Sequence, residues 1–440
     1  MSIPDSQNVT LSQDQAEAAV EKVLSLCQAD QAEVTCHGFS RGSTRYANNV
    51  IIQNLARTEA TVSLKAAFGQ RAGRASTSDF SPAALERLVR RAEEIARLSE
   101  PDPELMPALP TQQYLDAPTH FASTAAATPA QRADAVKEAA DHCEAKGLRA
   151  AGSYTTENSL VAMGSSAGLR ACHRETSARF LCTALSSNGS GWAESNARDL
   201  ALLDYRGAAA RAAEKALAAE NPGSVKPRPY TVVMEPAAIA ELIEWSGYTM
   251  DAKEADEGTS AWSDLQGQQI GTPLVTLRSD PSDPRCPVSP FFGDGMAAPK
   301  VDWITQGKLN TLAYSRYWAE QKGRPFTGRP TNLIMEGGDT SLGDLISQVE
   351  DGLLITRFWY IRFVEPKKLL LTGMTRDGLF RIEGGKVTGA VTNLRFNESP
   401  LRMLQRIRAV GQSTVTGEGM NVLAPAVLVD DFNFSSGTSF

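Results

Sequence analysis

EPAAIAELIEWSGYTMDAKEADEGTSAW, residues 235–262, is the stretch on which the reading of the chain turns. It predicts one short helix, from near Pro236 to Ser246, then a loop crowded with acids. Glu241, Glu244, Asp251, Glu254, Asp256 and Glu257 gather on that helix and loop. Oxygen-only ligands suit Mg²⁺ or Ca²⁺ better than zinc, and a solvated acidic face is the plainer account. Histidine is missing. The chain has four, His37, His120, His142 and His173, and none beyond His173; Cys286 is the one thiol of that half. A catalytic zinc takes three protein ligands, usually including histidine. The C-terminal half is therefore expected to hold no ordinary catalytic zinc site.

Around this helix, from Arg228 onward, many strands separated by glycine turns are expected. The turns fall at Glu336-Gly337-Gly338-Asp339, at Asp377-Gly378 and at Glu383-Gly384-Gly385-Lys386, the last a hairpin. Leu369-Leu370-Leu371 reads as a strand buried on both faces. This half is predicted to be mostly β, with a barrel-like or closed sheet.

The N-terminal half reads differently. Ser12 and Gln15 form a capping box before Ala16, Ala19, Val20 and Val23, one face of a helix. Ala32, Val34 and Cys36 then alternate with polar residues, and Asn48-Asn49 turns the chain between two short β-prone runs. Ala60 to Phe68 alternates as a one-sided strand. Ser81-Pro82 opens an amphipathic helix through Leu85, Leu88, Val89, Ala92, Ile95 and Ala96. Residues 100–128 have no period and read as a linker or long crossover. Thr128-Pro129 opens another helix, strands run from Ala150 to Ala184, and an alanine-rich helix spans roughly Asp199 to Glu220. The expected fold class is α+β. Its parts are a helix/β-meander/helix unit over 1–99, the linker, a second part of that α+β region over 129–225, and a β-rich domain over 226–440. No short-period repeat is evident.

Composition excludes several classes. Hydrophobic content of 42% and charged content of 22% are ordinary for globular chains. A net charge of −7 argues against nucleic acid as a partner, since phosphate affinity comes from clustered Lys and Arg. No signal peptide and no apolar run long enough to cross a bilayer are expected. Six cysteines without a CxxC point to reduced thiols in the cytoplasm.

Three motifs are decoys. Gly164-Ser165-Ser166-Ala167-Gly168 matches the nucleophile-elbow pattern, but Leu169, Ala171 and His173 continue a strand, so a hairpin turn fits better. Gly293-Asp294-Gly295 leads to Pro299 and no helix, hence a loop. Cys36-His37 and Cys172-His173 put neighbours on opposite faces of a strand, which forbids a thiol–imidazole bond within either pair.

The 235–262 stretch also resembles the metal-site region of the TldD/PmbA ("modulator of DNA gyrase") family. Zinc-bearing members of that family carry His-Glu-x-x-x-His on this helix. Ile243-Glu244-Trp245-Ser246-Gly247-Tyr248 looks like the motif with both histidines replaced, leaving Glu244 in the general-base position. The resemblance covers nearly the whole chain, in the family's order. It includes Arg45 to Asn49, Gly73 to Ser76, Asp294-Gly295 with Pro299, Gly307-Lys308-Leu309, Ser315-Arg316, Thr331-Asn332-Leu333, Asp351 to Thr356 and Ala409-Val410-Gly411. Two departures stand out. No cysteine follows Cys286 to act as the zinc subunit's third ligand, and Arg357-Phe358-Trp359-Tyr360-Ile361-Arg362 replaces an expected glycine-rich segment.

The resemblance implies the zinc-free TldE/PmbA-like subunit of a heterodimeric metallopeptidase. Its partner would be a zinc-bearing TldD-like paralogue. Its substrates would be unfolded peptides or peptide natural-product precursors. No cofactor is expected in this chain, which is expected to be inactive alone. Peptide is expected to lie extended along a sheet edge of the C-terminal half, with Arg357, Phe358, Trp359 and Tyr360 as contacts. The rival expectation is a homodimeric peptide-binding or regulatory protein without hydrolysis.

Overall fold

The structure, a computed structural model, describes residues 11–417 and 419–438. Helix α1 (Gln13–Leu26) opens with the expected capping box of Ser12 and Gln15. Strands β1 (Gln31–Ala47) and β2 (Val50–Phe68) follow, then β3 (Arg71–Thr77) and helix α2 (Pro82–Leu98), which Ser81 caps. Asn48 and Asn49 have φ of 50° and 64°. A two-residue hairpin turn of type I′ requires two such left-handed residues, and asparagine tolerates them. The strands they join are long arms of 17 and 19 residues rather than short runs.

The same succession recurs downstream. After a single turn, α3 (Ala122–Ala125), come α4 (Pro129–Glu144), β4 (Arg149–Ser165), β5 (Arg170–Leu185), β6 (Ser190–Ala197) and α5 (Tyr205–Ala218). The alanine-rich helix starts at Tyr205, not Asp199, because Asp204 supplies its cap. Strands β1 and β4 pair antiparallel from Glu33↔Ser165 to Tyr46↔Gly152. The two units thus share one sheet, in the order β3-β2-β1-β4-β5-β6. Gly73 on β3 and Gly191 on β6 occupy corresponding places. A Cβ on Gly73 would lie 2.3 Å from the Ala92 oxygen, and one on Gly191 2.3 Å from the Ala212 oxygen. Each glycine lets a helix backbone lie directly on an outermost strand.

Segment 100–128 is packed rather than loose. Ala108, Leu109 and Thr119 are buried, the Tyr114 hydroxyl donates to the Gly295 carbonyl at 2.8 Å, and Arg316 donates to the Pro107 carbonyl at 2.7 Å. It straps the two halves together.

The C-terminal half contains β7 (Pro229–Met234), then helix α6 (Pro236–Tyr248). The short strands β8 (Leu277–Ser279), β9 (Val301–Thr305), β10 (Lys308–Leu309) and β11 (Leu333–Met335) come next. Longer strands follow: β12 (Asp351–Glu365), β13 (Leu370–Glu383), β14 (Lys386–Ala390), β15 (Leu394–Glu398), β16 (Ile407–Thr416) and β17 (Val422–Gly437). Strand β17 pairs with β15, β15 with β13, β13 with β12, β12 with β7, and β7 back with β17. The ring closes, as the sequence led one to expect. Phe358, Phe396, Phe432 and Phe434 are all buried in its core. Leu369 and Leu371 are buried, but Leu369 is left-handed at φ 47° and ends a turn, so the leucine run is not a plain two-faced strand. No helix among the described residues is long and apolar enough to cross a membrane.

Candidate functional site

Helix α6 leaves β7 without a loop, with Pro236 in its first turn. Glu235 fixes the junction. Its carboxylate takes an ion pair from Lys215 of α5 at 2.6 Å and a hydrogen bond from Thr356 at 3.4 Å. The inner face of α6 buries Ala238, Ile239, Leu242, Ile243, Ser246 and Gly247. Gly247 must be small, since a Cβ there would meet a Leu333 methyl at 2.8 Å. The outer face carries Glu241, Glu244, Trp245 and Tyr248, at helical spacings of three and four. With Phe363 of β12 these residues line an open cleft of 480 Å³. Trp245 and Phe363 meet edge to face, centroids 4.7 Å apart.

The electrostatics of the cleft are uneven. Burial, set against the nearby Arg357 and reinforced by Glu244 and Glu194, pushes the Glu241 carboxyl up to about 8. Burial and the Glu194 charge also raise Glu244. Among the described residues neither carboxylate has an ion pair, so the more distant charges of Arg357 and Arg179 offset desolvation only in part. Glu194 of β6 behaves oppositely. Burial opposes its charge, but Arg179 at 2.9 Å, the Thr416 hydroxyl and the Gly417 N–H at 3.1 Å together hold it below the usual range. Gly417 in turn borders Glu244.

The remaining expected site residues divide. Ile243 faces the core, 3% exposed, so the helix brings only Glu244 and Tyr248 of the degenerate motif to the cleft. Phe358 is not a surface contact. The alternation of β12 turns it inward, 1% exposed and 4.7 Å from Phe396. Arg357 is half-buried, bonded to Asp377 and set over Trp192 at 4.7 Å. Trp359 and Tyr360 are exposed side by side because Tyr360, at φ 57°, sits in a β-bulge that breaks the alternation. The acidic loop disperses as well. Asp251 caps the next helical turn, while Asp256 serves Trp318 and Lys322.

The zinc that the resemblance implies for metal-bearing relatives does not fit this donor set. The cleft offers two carboxylates and three aromatic rings, without imidazole or thiolate. The buried Cys286 thiol donates to the Met420 carbonyl at 3.4 Å. Among the described residues no group of three His, Cys, Asp or Glu side chains is placed to hold a metal. Trp192, Glu194 and Arg179 were missed in the sequence, for they arrive from the other half of the chain and no local pattern marks them.

Comparisons with known proteins agree with this architecture. A comparison with curated protein sequences finds no match. Solved structures do match: a candidate modulator of a DNA gyrase from Thermotoga maritima (18% identity, TM-score 0.86, covering 95% of this chain and 100% of that one), and TldE from Thermococcus kodakarensis (18%, 0.86, 95% and 99%). A third is a candidate modulator of DNA gyrase from Bacteroides thetaiotaomicron (19%, 0.85, 97% and 100%). At such identities the likeness carries the fold alone. Sequence models of the family go further. The PmbA/TldA metallopeptidase domain 1 matches residues 32–96, the central domain residues 122–220 and the C-terminal domain residues 227–436. These three matches, in order and spanning both halves of the shared sheet and the closed ring, place the chain in the PmbA/TldD metallopeptidase family.

Proposed function

We propose that this chain is the zinc-free subunit of a TldD/TldE-type metallopeptidase, acting on unfolded peptides or peptide natural-product precursors. The observation that carries the reading is the outer face of α6. It keeps a cleft and a carboxylate in the general-base position, Glu244, yet carries Tyr248 where a ligand would be needed, while Ile243 is turned to the inner face. A zinc-bearing paralogue supplies the metal and the base; this chain supplies a wall of the peptide-handling cleft. Strand edges suit that task, because main-chain pairing accepts varied sequences.

Exposed apolar residues support a permanent partner. Val50, Ile51, Ile52 and Leu55 are 42–61% exposed on the part of β2 beyond its pairing with β3. An apolar strip on a free strand edge is a surface that assemblies cover. Six unpaired cysteines and a net charge of −7 support a cytoplasmic protein that handles peptides rather than nucleic acid.

The test is to purify the chain alone and with the zinc-bearing paralogue from its own cell. Metal content and cleavage of an unfolded peptide are then measured. The expected result is zinc and cleavage in the complex only. One tightly bound zinc per chain in the isolated protein, or cleavage by it alone, overturns the reading. A stable homodimer that binds peptide without cleavage, and takes no partner, favours the rival.

A further inference from the structure

The α6 cleft has walls and floor of different chemistry. Trp245, Tyr248 and Phe363 form apolar walls, while Glu241 and Glu244 stand at their base without an ion pair among the described residues. Glu194, with a side chain only 8% exposed, adds a negative charge behind them. Strand β7 pairs with β12 only over Gly352–Ile355, so beyond Ile355 the outer edge of β12 has no strand partner among the described residues. That open edge runs to Phe363, which itself lines the cleft.

We propose that this cleft seats a cationic group of an extended peptide, a Lys or Arg side chain or a terminal ammonium, whose backbone lies along the open edge of β12. The inference deepens the reading of the chain as a peptide-handling subunit and rests on it. Charge complementarity selects the occupant. Aromatic walls accept the aliphatic stem and attract the cation to their faces, and the two carboxylates receive its nitrogen. An anionic or neutral side chain would give the desolvated Glu244 no counter-charge and leave Glu241 holding its proton, and discrimination of this kind comes from buried groups left without partners. The raised Glu241 carboxyl fits the same picture, since a cation in the cleft supplies the counter-charge that burial withholds.

The test uses the full chain and three fluorescent dodecapeptides of Gly, Ser and Gln. One is N-acetylated with a single central Lys, one is N-acetylated with Gln there, and one has a free N-terminus and Gln. Fluorescence anisotropy is expected to show the Lys peptide binding about tenfold tighter than its acetylated Gln counterpart. Glu241→Gln/Glu244→Gln should abolish that preference, and so should high salt. Preference for the free-terminus peptide over the acetylated Gln peptide identifies a terminal ammonium as the occupant and supports the same site. Equal binding of all three by the natural chain overturns the inference and leaves the peptide-handling reading standing. Binding of none overturns the inference, while the subunit reading is decided by the zinc and cleavage measurements on the complex. If the double variant does not fold, the comparison of peptides on the natural chain and its salt dependence still decide.

Discussion

The Gly417 N–H donates to a Glu194 carboxylate oxygen at 3.1 Å, across 223 residues of sequence. With the Thr416 hydroxyl and Arg179 on the same carboxylate, this bond pins the turn between β16 and β17 to strand β6 beside α6. The clamp joins the two halves of the chain at the cleft. Glu194→Ala would leave Arg179 half-buried without its partner, and breaking such a pair costs about 3 kcal/mol. Glu194→Gln, which keeps an acceptor for Thr416 and Gly417, should cost less. Denaturant unfolding of the two variants measures the difference; equal, negligible losses would mean that the clamp does not hold.

Adjacent residues of β12 should answer differently to the same change. Phe358→Ala opens a cavity among Phe396 and Phe432 and should lower stability by about 3–5 kcal/mol. Trp359→Ala removes an exposed ring stacked under Arg376 at 4.6 Å and should cost less than about 1 kcal/mol. In the assembled complex Trp359→Ala is expected to weaken peptide processing while the two subunits stay together. Thermal melts and cleavage assays run side by side separate the two roles.

Glu241 sets a pH dependence. In the folded chain its carboxyl keeps its proton up to about 8, whereas in the unfolded chain it releases it near 4.5. Between those values the folded state binds more protons, so stability falls as pH rises through the window. Glu241→Gln is neutral throughout and removes that slope. The melting temperature of the variant should therefore gain on that of the natural chain between about pH 5 and about pH 8.5. A constant difference across that range would show that Glu241 ionises normally.

The exposed strip on β2 predicts an assembly defect. Ile52→Lys places a charge where Ile52 is 61% exposed, so the isolated chain should melt unchanged. Association with a partner should weaken markedly if the strip is covered in the complex. Size-exclusion chromatography and analytical ultracentrifugation of natural and variant chains provide the measurement.

Much of this organisation was legible in the sequence because its signals are local. Ser12 with Gln15, Ser81-Pro82 and Thr128-Pro129 mark helix starts through bonds to neighbours three residues away, and each is realised. The glycine turn at Gly384-Gly385 likewise forms, with both residues at positive φ. What was illegible depends on distant partners. The fusion of two units into one sheet rests on pairings such as Arg41↔Glu157, and nothing around either residue names the other. Within the site, Glu244 and Tyr248 could be found from helical spacing, but Glu194 and Trp192 could not. The exposure of Tyr360 beside Trp359 was hidden by a β-bulge, which shifts the period-two pattern by one residue.

The pairing of β1 with β4 also bears on how the chain acquires its structure. Strand β1 finds its second neighbour only after more than a hundred further residues have been made, as Tyr46↔Gly152 and Glu33↔Ser165 require. Contacts of such high sequence separation form late and slowly. While synthesis proceeds, the hairpin of β1 and β2 therefore waits with a long open edge and an apolar strip that even the finished chain leaves uncovered. The first unit is an unfinished sheet until the second emerges. A chain cut after α2 should accordingly aggregate rather than persist as a small stable domain, so the boundary between the first two family domains marks a repeat in form and not a unit that can live apart.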